Sequence, residues 1–120
     1  MMDQLHMNEL RQAPVSGLEA HAAEAARFLK LLANESRLLV LCHLQAFGEM
    51  PVNRLAEEVG LSQSALSQHL ARLREDGLVT YRRDSQTLYY RLLDARAAEV
   101  LGLLREIFCP DLGPQRRAAK

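Results

Sequence analysis

Leu61, Ala65, Leu66, Leu70 and Leu73 recur at spacings of three and four, which winds them onto one face of a helix. The opposite face of that helix shows Gln63, Ser64, Ser67, Gln68 and Ala71, small or amide-bearing side chains that carry no charge. Upstream, residues 52–59 (VNRLAEEV) form a shorter amphipathic helix with Leu55, Ala56 and Val59 inward, and Gly60 permits a sharp turn between the two. Ser62 is placed to cap the second helix, with Ala65 at its third position, so no capping box forms. Gly77 is a helix terminator. The β-rich runs 78–83 and 87–92, separated by Asp84, Ser85 and Gln86, then read as a hairpin.

A helix face meant only for water is usually rich in Lys and Glu. Hydroxyls and carboxamides are the groups that hydrogen-bond base edges and phosphates in a major groove. Helix, tight turn, helix and hairpin in that order predict a mainly α fold with a small β-hairpin wing (α+β), a winged helix-turn-helix. The expected order is two helices, a short strand, two helices, two strands and a last helix. Arg82 and Arg83 fall near the hairpin tip, where guanidinium groups suit phosphates or an adjacent minor groove. Asn34 is the expected N-cap of a helix from Glu35 to about Phe47.

With 120 residues, 48% hydrophobic and 25% charged, the chain suits one small domain. Residues 17–109 are read as the folded domain, with residues 1–16 and 110–120 as flexible tails. No apolar run approaches the roughly 20 residues that span a bilayer, and no secretory signal is visible, so a cytoplasmic protein is expected. The net charge of zero is uneven: residues 1–71 hold 5 Lys and Arg against 8 Asp and Glu (−3), and residues 72–120 hold 10 against 7 (+3). The basic excess lies on and after the polar-faced helix. Weak, salt-sensitive binding to DNA is expected from one copy, and useful affinity from two.

Two flanking segments supply a reason for pairing. Leu18, Ala22, Ala25, Leu29 and Leu32 form one apolar stripe, and Ala97, Val100, Leu101, Leu104, Ile107 and Phe108 another. These exceed what a winged helix needs for its own core, which predicts a homodimer and a near-palindromic double-stranded operator.

The segments LLANESRLLVLCHL (31–44) and LAEEVGLSQSALSQHLARLREDGLV (55–79), followed by a hairpin ending LYYRL, resemble the ArsR/SmtB family of ligand-responsive transcriptional repressors over roughly residues 20–109. The resemblance implies that Gln63, Ser64, Ser67 and Gln68 face bases or nearby phosphates, with His69 and Arg72 on the same helix beside them. His69 reads equally well as a histidine tucked into the fold next to Leu70.

Many inducers in that family are metals, but both usual metal sites are broken. The helix 52–59 lacks a Cys-x-Cys cluster, and Asp94 is followed by Arg96 where a histidine belongs, with Ile107 and Pro110 where later ligands would fall. What remains are Cys42 and Cys109. Cysteines at these two places resemble the sulfide- and persulfide-responsive branch, which includes the biofilm-growth-associated repressors. There, two thiols join through additional sulfur atoms when the inducer arrives. That resemblance implies a redox switch at Cys42 and Cys109 with reactive sulfur or another oxidant as inducer, no cofactor and no metal. Taken alone, Cys42 reads as well as a small buried hydrophobe, and the C-terminal end of a helix raises a thiol pKa at Cys109 unless Arg105 offsets it.

Three alternatives stay open at this point. His6, His21 and His43 offer unusual metal ligands, although adjacent Cys42 and His43 diverge by about 100° on a helix. A metal- or general-redox-responsive repressor of the same family is the second. A winged helix that binds only proteins is the third. No glycine-rich phosphate loop, nucleophile elbow or paired-carboxylate pocket suggests an enzyme.

Overall fold

A computed structural model describes residues 2–110, with side chains from residue 17 onward. Helix α1 (Met2–Leu32) belongs to one compact unit, Met1–Ala33, and everything after it to a second, Asn34–Lys120. The second unit contains α2 (Glu35–Phe47), β1 (Glu49–Pro51), α3 (Val52–Val59), α4 (Gln63–Glu75), β2 (Val79–Asp84), β3 (Thr87–Leu92) and α5 (Ala95–Phe108). The element order is the one expected for a winged helix-turn-helix. One boundary differs: α1 starts at Met2, so residues 2–16, read as a tail, carry helical backbone. The remaining tail, 111–120, and the side chain of His6 lie outside the described residues.

Side chains and glycines set the helix ends. Asn34 accepts from the Arg37 N–H at 3.0 Å and starts α2, and Ser62 accepts from the Ala65 N–H at 3.0 Å and starts α4. At the other end of α4, Gly77 adopts φ 79°. Its N–H bonds to Arg74 O and that of Leu78 to Leu73 O, both at 3.0 Å, which is a Schellman closure with Leu73 and Leu78 fully buried beneath it. Leu78 therefore belongs to the cap, and the first wing strand starts one residue later than the apolar run suggested.

The strands form an antiparallel sheet in the order β1-β3-β2. Asp84 pairs with Thr87, so the wing loop is only Ser85 and Gln86, with Ser85 at φ 58°. Strand alternation puts Met50, Val79 and Tyr90 on the face that is buried, and Glu49, Thr80, Arg82, Tyr89 and Arg91 on the other. The core beneath collects Val40, Leu41 and Leu44 of α2, Leu55 of α3, Leu66, Leu70 and Leu73 of α4, and Ala97 and Leu101 of α5. This apolar floor fixes how α4 presents its other face. Truncating Leu66 or Leu70 to Ala costs about 2–5 kcal/mol.

Candidate nucleic-acid interface and thiol pair

The three inward leucines of α4 leave Gln63, Ser64, Ser67, Gln68, Ala71 and Arg72 exposed, while His69 is half-buried at the edge of the packed face. The helix thus presents a continuous uncharged hydrogen-bonding surface that ends in Arg72. An open cleft of about 300 Å³ borders its first turns, lined by Val52, Asn53, Gln63, Ser67, Gln86, Thr87 and Leu88. The wing loop and the start of α4 therefore face a common space. Asn53, Gln86 and Thr87 were missed in the sequence, although polar residues in a hairpin loop were a visible signal. Their relevance depends on the sheet register that brings the loop beside α4.

The two wing arginines part company. Arg82 donates from Nε and Nη2 to the Glu49 carboxylate and lies 4.4 Å from the centre of the Tyr89 ring. The bond from Arg82 holds the Glu49 carboxyl below its ordinary range, and the same bond raises the Arg82 pKa. Its remaining Nη1 lies 3.9 Å from Asp84 Oδ2, so carboxylates on both sides offset the Arg82 charge. Arg83 pairs opposite Leu88 and is exposed on the other side of the strand, the side shared with Tyr81. There Arg74 at the end of α4 sits 4.9 Å from the Tyr81 ring centre, which ties the helix to the wing.

Cys42 lies half-buried on α2, and Cys109 is exposed at the end of α5, where its N–H bonds to Arg105 O at 2.8 Å. These helices are packed together. Gln45, one turn after Cys42, accepts from Arg105 Nη1 at 3.2 Å. Gly102 leaves room for the Gln45 amide: a Cβ there would sit 3.2 Å from Gln45 Nε2. Burial pushes the Cys42 thiol up, the Arg105 charge pulls it down, and Cys109 pushes it up again. Both cysteines thus act within one electrostatic neighbourhood.

The other candidate ligands among the described residues each have a neighbouring partner. Asp94 caps α5, accepting from the Arg96 N–H at 2.8 Å and the Ala97 N–H at 3.4 Å, and pairs with the Arg96 guanidinium at 2.9 Å. His43 Nδ1–H donates to Leu39 O at 2.8 Å and its ring stacks on Phe47. His21 lies beside Glu24 within α1. Among the described residues, no three His, Cys, Asp or Glu side chains gather as metal ligands. No helix among them is long and apolar enough to cross a membrane.

Residues 34–81, from the α2 cap through the start of β2, match the family described as bacterial regulatory protein, arsR family. The transcriptional activator HlyU of Vibrio cholerae is 43% identical over 105 residues, covering 86% of this chain and 96% of that protein. The chain belongs to the ArsR family. Members of this family are DNA-binding transcription regulators and not enzymes. The crystal structure of the transcriptional repressor BigR from Xylella fastidiosa superposes with TM-score 0.73 at 40% identity, covering 78% of this chain and 95% of BigR. A homodimeric winged helix-turn-helix domain, Mb0332 from Mycobacterium bovis, gives TM-score 0.62 at 31% identity, covering 85% and 86%. In this ArsR-family regulator, α3 and α4 are therefore the helix-turn-helix and β2–β3 the wing.

Proposed function

We propose that this regulator is a cytoplasmic homodimeric repressor. It lays α4 of each copy into the major groove of a near-palindromic operator, and releases the DNA when reactive sulfur links Cys42 to Cys109. Gln63, Ser64, Ser67, Gln68 and Arg72 make the groove and phosphate contacts, with His69 at their margin and Arg83 reaching the backbone from the wing. Arg82 is the weaker candidate, because Glu49 and Asp84 already offset its charge. A two-fold pair presents its reading helices about one helical turn of DNA apart, roughly 34 Å.

The observation that carries the switch is the α2–α5 packing, which brings the only two cysteines of the chain into mutual electrostatic reach. Exposed Cys109 is the first acceptor of sulfur. Its thiolate attacks the sulfane sulfur of a hydropersulfide RSSH, giving Cys109–S–SH and RS⁻. The same transfer at Cys42, followed by attack of its persulfide anion on Cys109 Sγ with loss of HS⁻, leaves a trisulfide. The bridge ties the end of α5 to α2, beside the core on which α4 rests. A coupling of about 1–3 kcal/mol lowers operator affinity severalfold to about a hundredfold.

The test is intact mass spectrometry after hydropersulfide, peroxide or glutathione disulfide treatment, paired with operator titrations. Added sulfur joining Cys42 to Cys109, with weakened binding, is the expected result. Cys42→Ser and Cys109→Ser variants that respond to the inducer like the parent would overturn it. Bridging by peroxide alone would make the protein a general redox sensor.

A further inference from the structure

Arg105 joins α5 to α2, and one of its donors has no partner among the described residues. Its Nη1 is anchored on Gln45 at 3.2 Å, while Nε is buried with no hydrogen-bond partner among the described residues. A buried guanidinium N–H without an acceptor costs free energy, and such orphans ask for an explanation. Cys42 precedes Gln45 by three residues on α2, so the two share a helix face, and Arg105 precedes Cys109 by four on α5. The guanidinium therefore lies on the helix faces that carry the two cysteines, held by the Gln45 side chain, for which Gly102 leaves room.

We propose that Arg105 is the positioning residue of the thiol switch: its guanidinium, fixed on Gln45, is the counter-charge that lets half-buried Cys42 react as an anion. This inference rests on the sulfur-bridge reading of the site. Cys42 must lose its proton before it can take a sulfur atom from RSSH, and its persulfide must be anionic when it attacks Cys109 Sγ and expels HS⁻. Burial opposes both anions, and Arg105 favours them. The charged groups acting on Cys42 are Arg105 and Cys109, both from α5. In the reduced protein the Nε–H waits without an acceptor, and the Cys42 anion fills that role during the reaction. The guanidinium does not touch the inducer. It sets how readily the second, less accessible thiol responds.

The experiment uses the full chain in a Cys109→Ser background, where Cys42 is the sole thiol. Its alkylation by iodoacetamide is followed across pH for Arg105, Arg105→Lys and Arg105→Gln proteins, with operator binding as the check that each is folded. Arg105→Gln is expected to move the pH midpoint upward and slow alkylation at neutral pH severalfold. Arg105→Lys, which keeps the charge and loses the fork, should fall between. Coincident pH profiles for all three would overturn the inference. Glutathione persulfide is then added to the proteins that retain Cys109. Equal bridging rates for Arg105 and Arg105→Gln also sink the role of Arg105 while leaving the switch standing. A shifted alkylation profile with no bridge formed in any variant sinks the switch while leaving the charge effect on Cys42 intact.

Discussion

Arg82 grips Glu49 across the intervening strand β3, with Nε–Oε2 and Nη2–Oε1 distances both 3.0 Å. The two residues are 33 positions apart and sit on the two edge strands, so their fork bridges β1 and β2 over Tyr89. A two-pronged guanidinium–carboxylate contact is geometrically demanding, which orients the wing relative to the start of the helix-turn-helix. It also divides the labour between adjacent arginines.

Salt titration separates those roles. Each phosphate contact contributes about 0.9 to the slope of log affinity against log salt on B-DNA. Arg83→Ala is expected to reduce the slope of operator binding by about that amount per copy. Arg82→Ala should leave the slope unchanged, because its charge is spent on Glu49. Fluorescence anisotropy at several salt concentrations reads both. Equal slope losses would mean that Arg82 abandons Glu49 for the DNA backbone.

The contrast between these arginines also marks the limit of the sequence. Leu61, Leu66, Leu70 and Leu73 repeat within 13 residues, so local periodicity was enough to predict α4 and its inward face. Asn34, Ser62 and Gly77 likewise announce helix ends within one turn. Arg82–Glu49 and Arg105–Gln45 are different: partners 33 and 60 residues apart meet only because of strand order and helix packing. No local pattern encodes those meetings. Asp94 was legible as a carboxylate at a family position, but its commitment to capping α5 depends on the first-turn N–H groups it meets. The polar wing residues Gln86 and Thr87 were visible, but their place beside Gln63 depends on the register of β2 with β3.

The α5 cap predicts a pH signature. Arg96 side-chain hydrogen bonds, joined by two backbone N–H groups, hold the Asp94 carboxyl below the ordinary aspartate range. A depressed folded-state value means that the stabilisation is complete above the unfolded value of about 3.9 and disappears as pH falls through the lower folded one. Asp94→Ala should cost about 1 kcal/mol at neutral pH. Asp94→Asn keeps a capping oxygen and loses the charge, so the parent's advantage over it should be constant from pH 5 to 8 and shrink below about pH 4. Urea melts at stepped pH measure the difference. A constant gap down to pH 2 would argue that the charge on Asp94 contributes nothing.

Ser85 pays for the tight wing loop with a φ of 58°. A non-glycine residue there carries left-handed strain of roughly 1–2 kcal/mol, part of which glycine returns as unfolded-state entropy. Ser85→Gly should therefore stabilise the protein by about 0.5–1 kcal/mol without altering operator specificity. Thermal melts and competition binding test the two halves separately. Lower stability in the glycine variant would show that the serine side chain contributes more than its backbone costs.

Leu103 and Ile107 lie one turn apart on α5, each more than half exposed at 56% and 59%, and Phe108 beside them is 75% exposed. Isolated surface leucines need no explanation, but three large exposed apolar side chains within the last two turns of one helix are the kind of patch that marks a subunit contact. Because the patch is already outside the core of a single copy, polar replacements there should spare the fold and strike assembly. Leu103→Asp with Ile107→Ser is expected to leave the thermal transition of dilute protein nearly unchanged, raise the dimer dissociation constant by at least about tenfold, and abolish preference for palindromic over half-site DNA. Sedimentation velocity and half-site titrations read these outcomes. A variant that remains dimeric would move the two-fold contact away from α5. It would also uncouple dimer geometry from Cys109, which follows Phe108 directly at the end of the same helix.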